Sequence, residues 1–222
     1  MNIVKFAFNP LQENTYILWD QTKECAIIDA GNASAREDRV LADFIAENGL
    51  TPVLAINTHG HFDHLLGVAF LQNTYGVKFA MSKADESIAE QMMSHCAMFG
   101  LDATEVPTID IDLATATEIG FGETTLRVIP TPGHTPGGVS LLHTESGALF
   151  TGDTIFRECI GRTDLPGGDY NALMNSILTC IIPLGDEITI YSGHGDKSTI
   201  GHESLYNPFV VEAINNEVDY SN

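Results

Sequence analysis

The stretch Thr58-His59-Gly60-His61-Phe62-Asp63-His64 decides the reading of this chain, because it places three imidazoles and one carboxylate within seven residues. Neutral imidazole nitrogen and carboxylate oxygen are the donors a borderline divalent cation prefers. Three further Gly-containing segments supply the same donor types: Thr131-Pro132-Gly133-His134, Gly152-Asp153-Thr154 and Ser192-Gly193-His194-Gly195. The candidate ligands are therefore His59, His61, Asp63, His64, His134, Asp153 and His194, seven groups where one tetrahedral ion uses four. The pattern reads as a hydrolase with two metal ions.

The segments that deliver these groups read as strands. Val53–Asn57 is a short apolar run that ends at the histidine cluster, Ala148–Thr151 leads into Asp153, and Glu187–Tyr191 leads into His194. His134 follows Thr124–Ile129 through a Pro-Gly turn. Strands that end at one edge hold side chains rigidly, while glycines at 60, 133, 152, 193 and 195 suit tight turns and close approach. Upstream, Ile3–Phe8, Thr15–Trp19 and Cys25–Asp29 read as a meander of strands. Ser34-x-x-Glu37 is a capping box that opens a helix with Val40, Leu41, Phe44 and Ile45 on one face, stopped by Gly49.

Further helices are expected from Leu65 to Gly76 (Leu65, Leu66, Ala69 and Phe70 inward), over Ala84–Phe99, over Tyr170–Ile181 and after Gly201. Val77–Met81 and Gly138–His143 complete the expected strands. Each half runs from β-rich to helical, and no linker is evident, so residues 1–222 are expected to form one domain of two similar layers joined face to face.

Bulk properties narrow the partners. Ten basic against thirty acidic residues give a net charge of −20. That argues against nucleic acid and anionic membrane surfaces as partners. Highly anionic substrates are disfavoured too, unless bound cations reverse the local field. The N-terminus lacks a basic segment followed by a long apolar core, and no apolar stretch approaches the roughly 20 residues that span a bilayer. Cys25, Cys96, Cys159 and Cys180 are scattered, without a C-x-x-C, and read as small hydrophobes in a reducing compartment. The cytoplasm is the expected location.

Spacing divides the ligands. His59 and His61 are two apart and point one way in an extended segment, whereas Asp63 and His64 are adjacent and can turn toward a second position. One ion is assigned His59, His61 and His134, the other Asp63, His64 and His194, with Asp153 bridging. Two ions about 3.5–4 Å apart can share a hydroxide and polarise an electrophile, so no Ser or Cys nucleophile is required. Zinc is the first expectation, and iron and manganese suit the same donors. A lone histidine is usually a surface or core residue, and His95, His143 and His202 are assigned to that class. One dense cluster followed by three strand-end ligands is what sets the others apart.

These residues resemble the metallo-β-lactamase-fold hydrolases, whose signature is H-x-H-x-D-H followed by a later His, Asp and His. The likeness is closest to the glyoxalase II-like branch, through Thr131-Pro132-Gly133-His134-Thr135-Pro136-Gly137, Gly152-Asp153-Thr154-Ile155-Phe156 and Ser192-Gly193-His194-Gly195. The resemblance implies an α/β fold, a four-layer αββα sandwich with a dinuclear site at one edge, and all seven ligand positions of that branch are filled here. Asp63 is the position implied to hold the attacking water and take its proton. β-Lactamases of the best-known class place a cysteine in the second site, which argues against antibiotic hydrolysis.

Departures bear on substrate. Full glyoxalase II enzymes, which hydrolyse S-D-lactoylglutathione, carry a helical C-terminal domain that helps hold glutathione, whereas only about 28 residues follow His194. Gly161-Arg162 matches a Gly-Lys pair that contacts glutathione, but Asp164 stands where that branch has Tyr. Arg162 is thus a candidate substrate contact, with an internal pair to Asp164 or Asp169 as the alternative. Shorter glyoxalase II-like proteins share Gly161-Arg162-Thr163-Asp164-Leu165-Pro166-Gly167-Gly168. The leading expectation is hydrolysis of a small acyl-thiol such as a hydroxyacylglutathione. The alternatives are an iron persulfide dioxygenase on the same scaffold, with a single iron, and a non-catalytic binding protein.

Overall fold

The structure, a computed structural model, describes residues 1–101 and 105–219, with side chains through residue 215. Its first sheet contains β1 (Asn2–Phe8), β2 (Glu13–Trp19), β3 (Glu24–Ile28), β4 (Thr51–Ile56), β5 (Lys78–Met81) and β6 (Ile111–Asp112), in that spatial order. The first three strands pair antiparallel and the rest parallel, as expected for a meander followed by β-α-β crossovers. The second sheet contains β7 (Glu118–Phe121), β8 (Thr124–Pro130), β9 (Val139–His143), β10 (Ala148–Gly152), β13 (Thr189–Ser192) and β14 (Ser198–Thr199), in the order β14-β13-β10-β9-β8-β7. A small hairpin, β11 (Ile155–Phe156) with β12 (Cys159–Ile160), sits between β10 and β13 in sequence.

Side-chain alternation sorts the core into three sheets of apolar contact, which is what four stacked layers require. Along β2, Ile17 faces the helices outside the first sheet, while Tyr16 and Leu18 face the second sheet. Along β3, Cys25 and Ile27 point outward and Ala26 and Ile28 inward. Along β10, Ala148 and Phe150 meet the first sheet, and Leu149 meets the helices on the far side. Phe150 is fully buried and edges Tyr16 at 5.3 Å, so truncation to Ala would cost about 3–5 kcal/mol.

Helices α1 (Ala35–Glu47), α2 (Val68–Tyr75) and α4 (Met92–Phe99) cover the first sheet. Helix α5 (Tyr170–Ser176), running on into a π-turn, and α6 (Ile200–Tyr206) and α7 (Pro208–Asp219) cover the second. The expected four-layer αββα arrangement is therefore observed.

Local differences have local causes. Ser34 caps α1 as expected, its Oγ accepting from Glu37 N at 3.3 Å. Glu37 does not reciprocate to Ser34, because its carboxylate accepts instead from Ala33 N and Asn9 N, tying the helix to the β1–β2 turn. On α1, Leu41 and Ile45 are buried and Phe44 packs on the core, whereas Val40 is exposed. The second helix begins at Val68, not Leu65, since Phe62–His64 forms a 3-10 turn. Its buried residues are Val68 and Leu71, with Leu65 buried just before it and Leu66, Ala69 and Phe70 only partly buried.

The helix expected over Ala84–Phe99 is broken into a 3-10 turn (Lys83–Asp85), α3 (Glu86–Ala89) and α4, with a turn at Glu90–Gln91. The segment after Gly201 is two helices, because Pro208 disfavours helical backbone at Asn207, which sits at ψ 113. All four cysteines are free; Cys25 and Cys96 are buried, whereas Cys159 is exposed and Cys180 intermediate. No helix among the described residues is long and apolar enough to cross a membrane.

Candidate metal centre

All seven candidate ligands converge at one edge of the sandwich. His59 and His61 follow β4, and Asp63 and His64 sit on the 3-10 turn behind them. His134 follows β8, Asp153 follows β10 and His194 follows β13, so the first sheet supplies four groups and the second sheet three. His59, His61 and His134 offer donor atoms within 4.8 Å of one another, and so do Asp63, His64 and His194; each trio could hold a metal ion. Asp153 stands between them: Oδ1 is 3.6 Å from His64 Nε2, and Oδ2 is 3.6 Å from His134 Nε2 and 3.7 Å from His194 Nε2.

The imidazole tautomers follow from their outer partners. Thr58 Oγ1 donates to Asp29 Oδ2 at 2.7 Å, so it accepts from His59 Nδ1 at 3.0 Å. His134 Nδ1 donates to Arg162 O at 2.7 Å, and His194 Nδ1 to Leu11 O at 3.2 Å. His64 Nδ1 lies 3.1 Å from Asp29 Oδ2. Each of these rings therefore turns its Nε2 to the interior, where a cation would take the lone pair. His61 differs, with its Nδ1 2.9 Å from His134 Nε2. Two nitrogens on one tetrahedral zinc, with bonds of about 2.0–2.1 Å, would stand about 3.3 Å apart, so this pair needs only a small spread.

Buried His59 Nε2, His64 Nε2 and Asp153 Oδ1 have no hydrogen-bond partner in the protein. Unpaired buried donors and acceptors are costly, and three of them aimed into one space are accounted for by a cation. The donor chemistry and these orphaned atoms fit a divalent metal.

Protonation follows the same logic. Burial, with His134 and His64 close by, pushes His61 down to about 3. His59 lies well below the ordinary histidine value, first through burial and then through the surrounding imidazoles. Burial also raises Asp63, but His64 and His194 outweigh it and hold the carboxyl at about 2. Burial lowers His64 and His194, yet the carboxylates of Asp63 and Asp153 (with Asp29 for His64) drive both upward. In the protein alone these two imidazoles take up the charge deficit that a cation would fill, and metal binding would release their protons.

Residues that sequence reasoning passed over hold the ligand loops in place. Asp29 accepts from Thr58 N and Thr58 Oγ1, both at 2.7 Å. Asp29 also falls within reach of His59 and His64 as a third possible metal group, but its oxygens are committed to Thr58, and it acts as a buttress. It ends an apolar strand and precedes Gly31, much as Asp153 ends β10, and that parallel was the available signal. Asn9 Nδ2 donates to Asp63 O and Asn57 Nδ2 to His64 O, fixing the 3-10 turn. Asp85 accepts from the backbone on both sides of the first trio, and nothing in its local sequence marks it. Gly193 has no room for a side chain: a Cβ there would collide with Asp153 Oδ1 and His64 Cε1.

A cleft of about 590 Å3 opens over the cluster, with apolar walls from Phe62, Ile88, Phe99 and Leu165. His95, assigned to a bland role, reaches the rim with its ring 5.8 Å from Phe62. His143 instead contacts Ser146 and His202 pairs with Glu158, both away from the cluster. Arg162 also lines the cleft, its guanidinium held by Asp164 through two 2.9 Å bonds. A larger hollow of about 920 Å3 lies at the opposite end, among Asp20, Glu118, Arg127 and His143, and contains none of the candidate ligands.

This edge-mounted cluster of histidines and aspartates on an αββα sandwich defines a metallo-hydrolase. Residues 8–194 match the metallo-β-lactamase superfamily, and the chain belongs to it. Among curated proteins it is 36% identical over 217 residues to the hydroxyacylglutathione hydrolase GloC of Haemophilus influenzae, covering 95% of this chain and 98% of that protein. Among solved structures it superposes on the BLEG-1 B3 metallo-β-lactamase with a TM-score of 0.86 at 32% identity, covering 94% of this chain and 99% of that one. It also superposes on TTHA1623 in a di-iron-bound form with a TM-score of 0.82 at 32% identity, covering 93% and 99% respectively.

Proposed function

We propose that the protein is a dinuclear metal-dependent hydrolase of small acyl-thiols, of the hydroxyacylglutathione class. The observation that carries this reading is the position of Asp153 between two complete trios, His59–His61–His134 and Asp63–His64–His194. The likeness to GloC, which covers nearly the full length of both chains, supports the acyl-glutathione assignment. Zinc is the proposed metal; iron and manganese suit the same donors, and the di-iron form of TTHA1623 supports two ions.

Two bound divalent ions would supply Lewis acidity, lowering the pKa of water to about 7 and polarising an acyl carbonyl. The protein's own groups handle the proton and the leaving group. Asp63 is ionised at neutral pH and its Oδ2 lies 3.3 Å from His194 Nε2, so it can orient the attacking water and accept its proton. The water oxygen bonds to the acyl carbon, the carbon–sulfur bond breaks, and the thiolate leaves. A thiol has a pKa of about 8.5, so its departure demands no strong general acid. The apolar walls of Phe62, Ile88 and Phe99 exclude bulk water from the acyl group. Arg162, on the rim, is proposed to meet a substrate carboxylate when it is not paired with Asp164.

The test is turnover of S-D-lactoylglutathione by the metal-loaded protein, its His61→Ala and its Asp153→Ala variants. Loss of at least a hundredfold in both is expected, and near-wild-type turnover in either would refute the reading. Parallel assays with a β-lactam and with a persulfide under oxygen distinguish the other reactions: oxygen uptake with one iron per chain would replace hydrolysis by dioxygenation.

A further inference from the structure

Asp85 is fully buried, lies on the 3-10 turn after β5, and is not a member of either trio. Its carboxylate nevertheless touches both loops that carry the tri-histidine group. Oδ2 accepts from Gly60 N at 2.9 Å, between His59 and His61. The same oxygen accepts from Thr135 Oγ1 at 2.7 Å, and Oδ1 accepts from Gly137 N at 2.6 Å, both in the loop of His134. Two of the three partners are glycines for a shared reason. A Cβ on Gly60 would lie 2.8 Å from Asp85 Cβ, and one on Gly137 would lie 2.7 Å from Asp85 Oδ1. The backbone is bare at both points where it approaches this carboxylate.

We infer that Asp85 is a positioning residue for the His59–His61–His134 half of the centre. Its two oxygens fix the separation of the β4 loop from the β8 loop, and so set how tightly that half binds a divalent cation. Three donors converge on two acceptor oxygens, a pattern that only the carboxylate satisfies. In an Asn, one oxygen could keep Gly60 and Thr135, but the amide NH2 would face the Gly137 N–H, donor against donor. The half-site would then lose one of its two holds on the His134 loop with almost no change in side-chain volume. The other trio has supports of its own in Asn9 and Asn57, which hold the carbonyls of Asp63 and His64, so the effect falls on one ion.

This inference rests on the two-ion reading above, and the experiment separates the two. Co2+ is titrated by equilibrium dialysis into the apo forms of wild type, Asp85→Asn and Thr135→Val. Each is made alone, in a His194→Ala background (first trio intact) and in a His61→Ala background (second trio intact). Partners just outside the ligand shell typically change metal affinity by 10–100-fold. Asp85→Asn is expected to weaken Co2+ binding 10–100-fold in the His194→Ala background and less than threefold in the His61→Ala background. Thr135→Val, which keeps the carboxylate and should fold even if Asp85→Asn does not, is expected to act in the same direction by about threefold to tenfold.

Glu203→Gln alters another fully buried carboxylate, which accepts from Ser198, Asn207 and Glu158 N, and should lower the melting temperature with no change in Co2+ affinity. Equal weakening in the two backgrounds, or none in either, would overturn the inference. Wild type binding fewer than two Co2+ ions would overturn the two-ion reading itself, and the inference with it.

Discussion

The backbone carbonyl of Arg162 accepts a 2.7 Å hydrogen bond from His134 Nδ1, while the guanidinium of the same residue turns outward to Asp164. One residue thus orients a candidate ligand through its main chain and leaves its side chain at the rim of the cleft. Arg162→Ala should leave metal content unchanged, because the carbonyl remains. With an anionic thiol carrier, KM should rise about threefold to tenfold at constant kcat, the size expected for one exposed charge contact. Elemental analysis beside Michaelis kinetics checks both halves; a loss of metal would show that the side chain supports the loop.

Gly193→Ala is the smallest substitution that should dismantle the site. The added methyl must displace Asp153 Oδ1 or His64 Cε1, and neither is the free end of a flexible chain. Displacement of about 1 Å at reacting groups can cost a hundredfold in rate. We expect a folded protein by circular dichroism, with fewer than two ions bound and at least a hundredfold lower kcat/KM.

Removal of metal should separate stability from fold. Any ion that binds only the folded state adds RT ln(1 + [L]/Kd), about 4 kcal/mol at a thousandfold excess over Kd. For a chain of 222 residues that corresponds to roughly 8–16 °C in melting temperature. Chelation should therefore abolish turnover and lower the melting temperature by about that amount, with both restored by Zn2+. An unchanged melting curve after complete chelation would contradict this.

Asp20 should make stability depend on acid. Burial raises its carboxyl slightly, but the hydroxyl and amide of Thr22, the hydroxyl of Thr124 and the amide of Glu123 hold it at about 2, below its ordinary 3.8. The folded value is depressed, so its contribution is fully present above about pH 4 and is lost as pH falls toward 2. This carboxylate is largely solvent-screened, so the effect is small. Asp20→Asn should lower the melting temperature by about 2–4 °C at pH 6, with the gap closing between pH 4 and pH 2. A gap that persists at pH 2 would assign the effect to packing.

Met98 and Phe99 project from the end of α4 into the cleft wall, 79% and 56% exposed. Exposed apolar side chains beside a reaction centre contribute through what they cover on the substrate. The double change Met98→Ser with Phe99→Ser should raise KM about tenfold for a hexanoyl thioester and less than threefold for a lactoyl thioester. Equal changes for both would remove the acyl-contact role.

The ligands were legible because four segments that follow apolar strands carry them, with chemistry that strand ends rarely need, and because Asp63 and His64 lie in the same dense cluster as His59 and His61. The four-layer arrangement was legible through the same strands, whose alternation at Tyr16, Ile17 and Leu18 serves two different cores. What escaped has physical reasons. β6, β11, β12 and β14 are two residues long, too short for any period to register. The run from Ala84 to Phe99 has helical spacing throughout, yet its start is a 3-10 turn capped by Ser82. Asp85 meets Gly60, Thr135 and Gly137 from 25, 50 and 52 residues away, a relationship that no local pattern encodes.

Neither sheet owns a complete half of the centre. His59 and His61 come from the first sheet and need His134 from the second; Asp63 and His64 need His194 in the same way. A cation held there would act as a clasp across the seam, so its affinity would be a gauge of how firmly the two layers are closed. Loosening the seam along its length, as at Phe150 three residues before Asp153, should reach the reaction first as a slipping metal and only later as an unfolded chain.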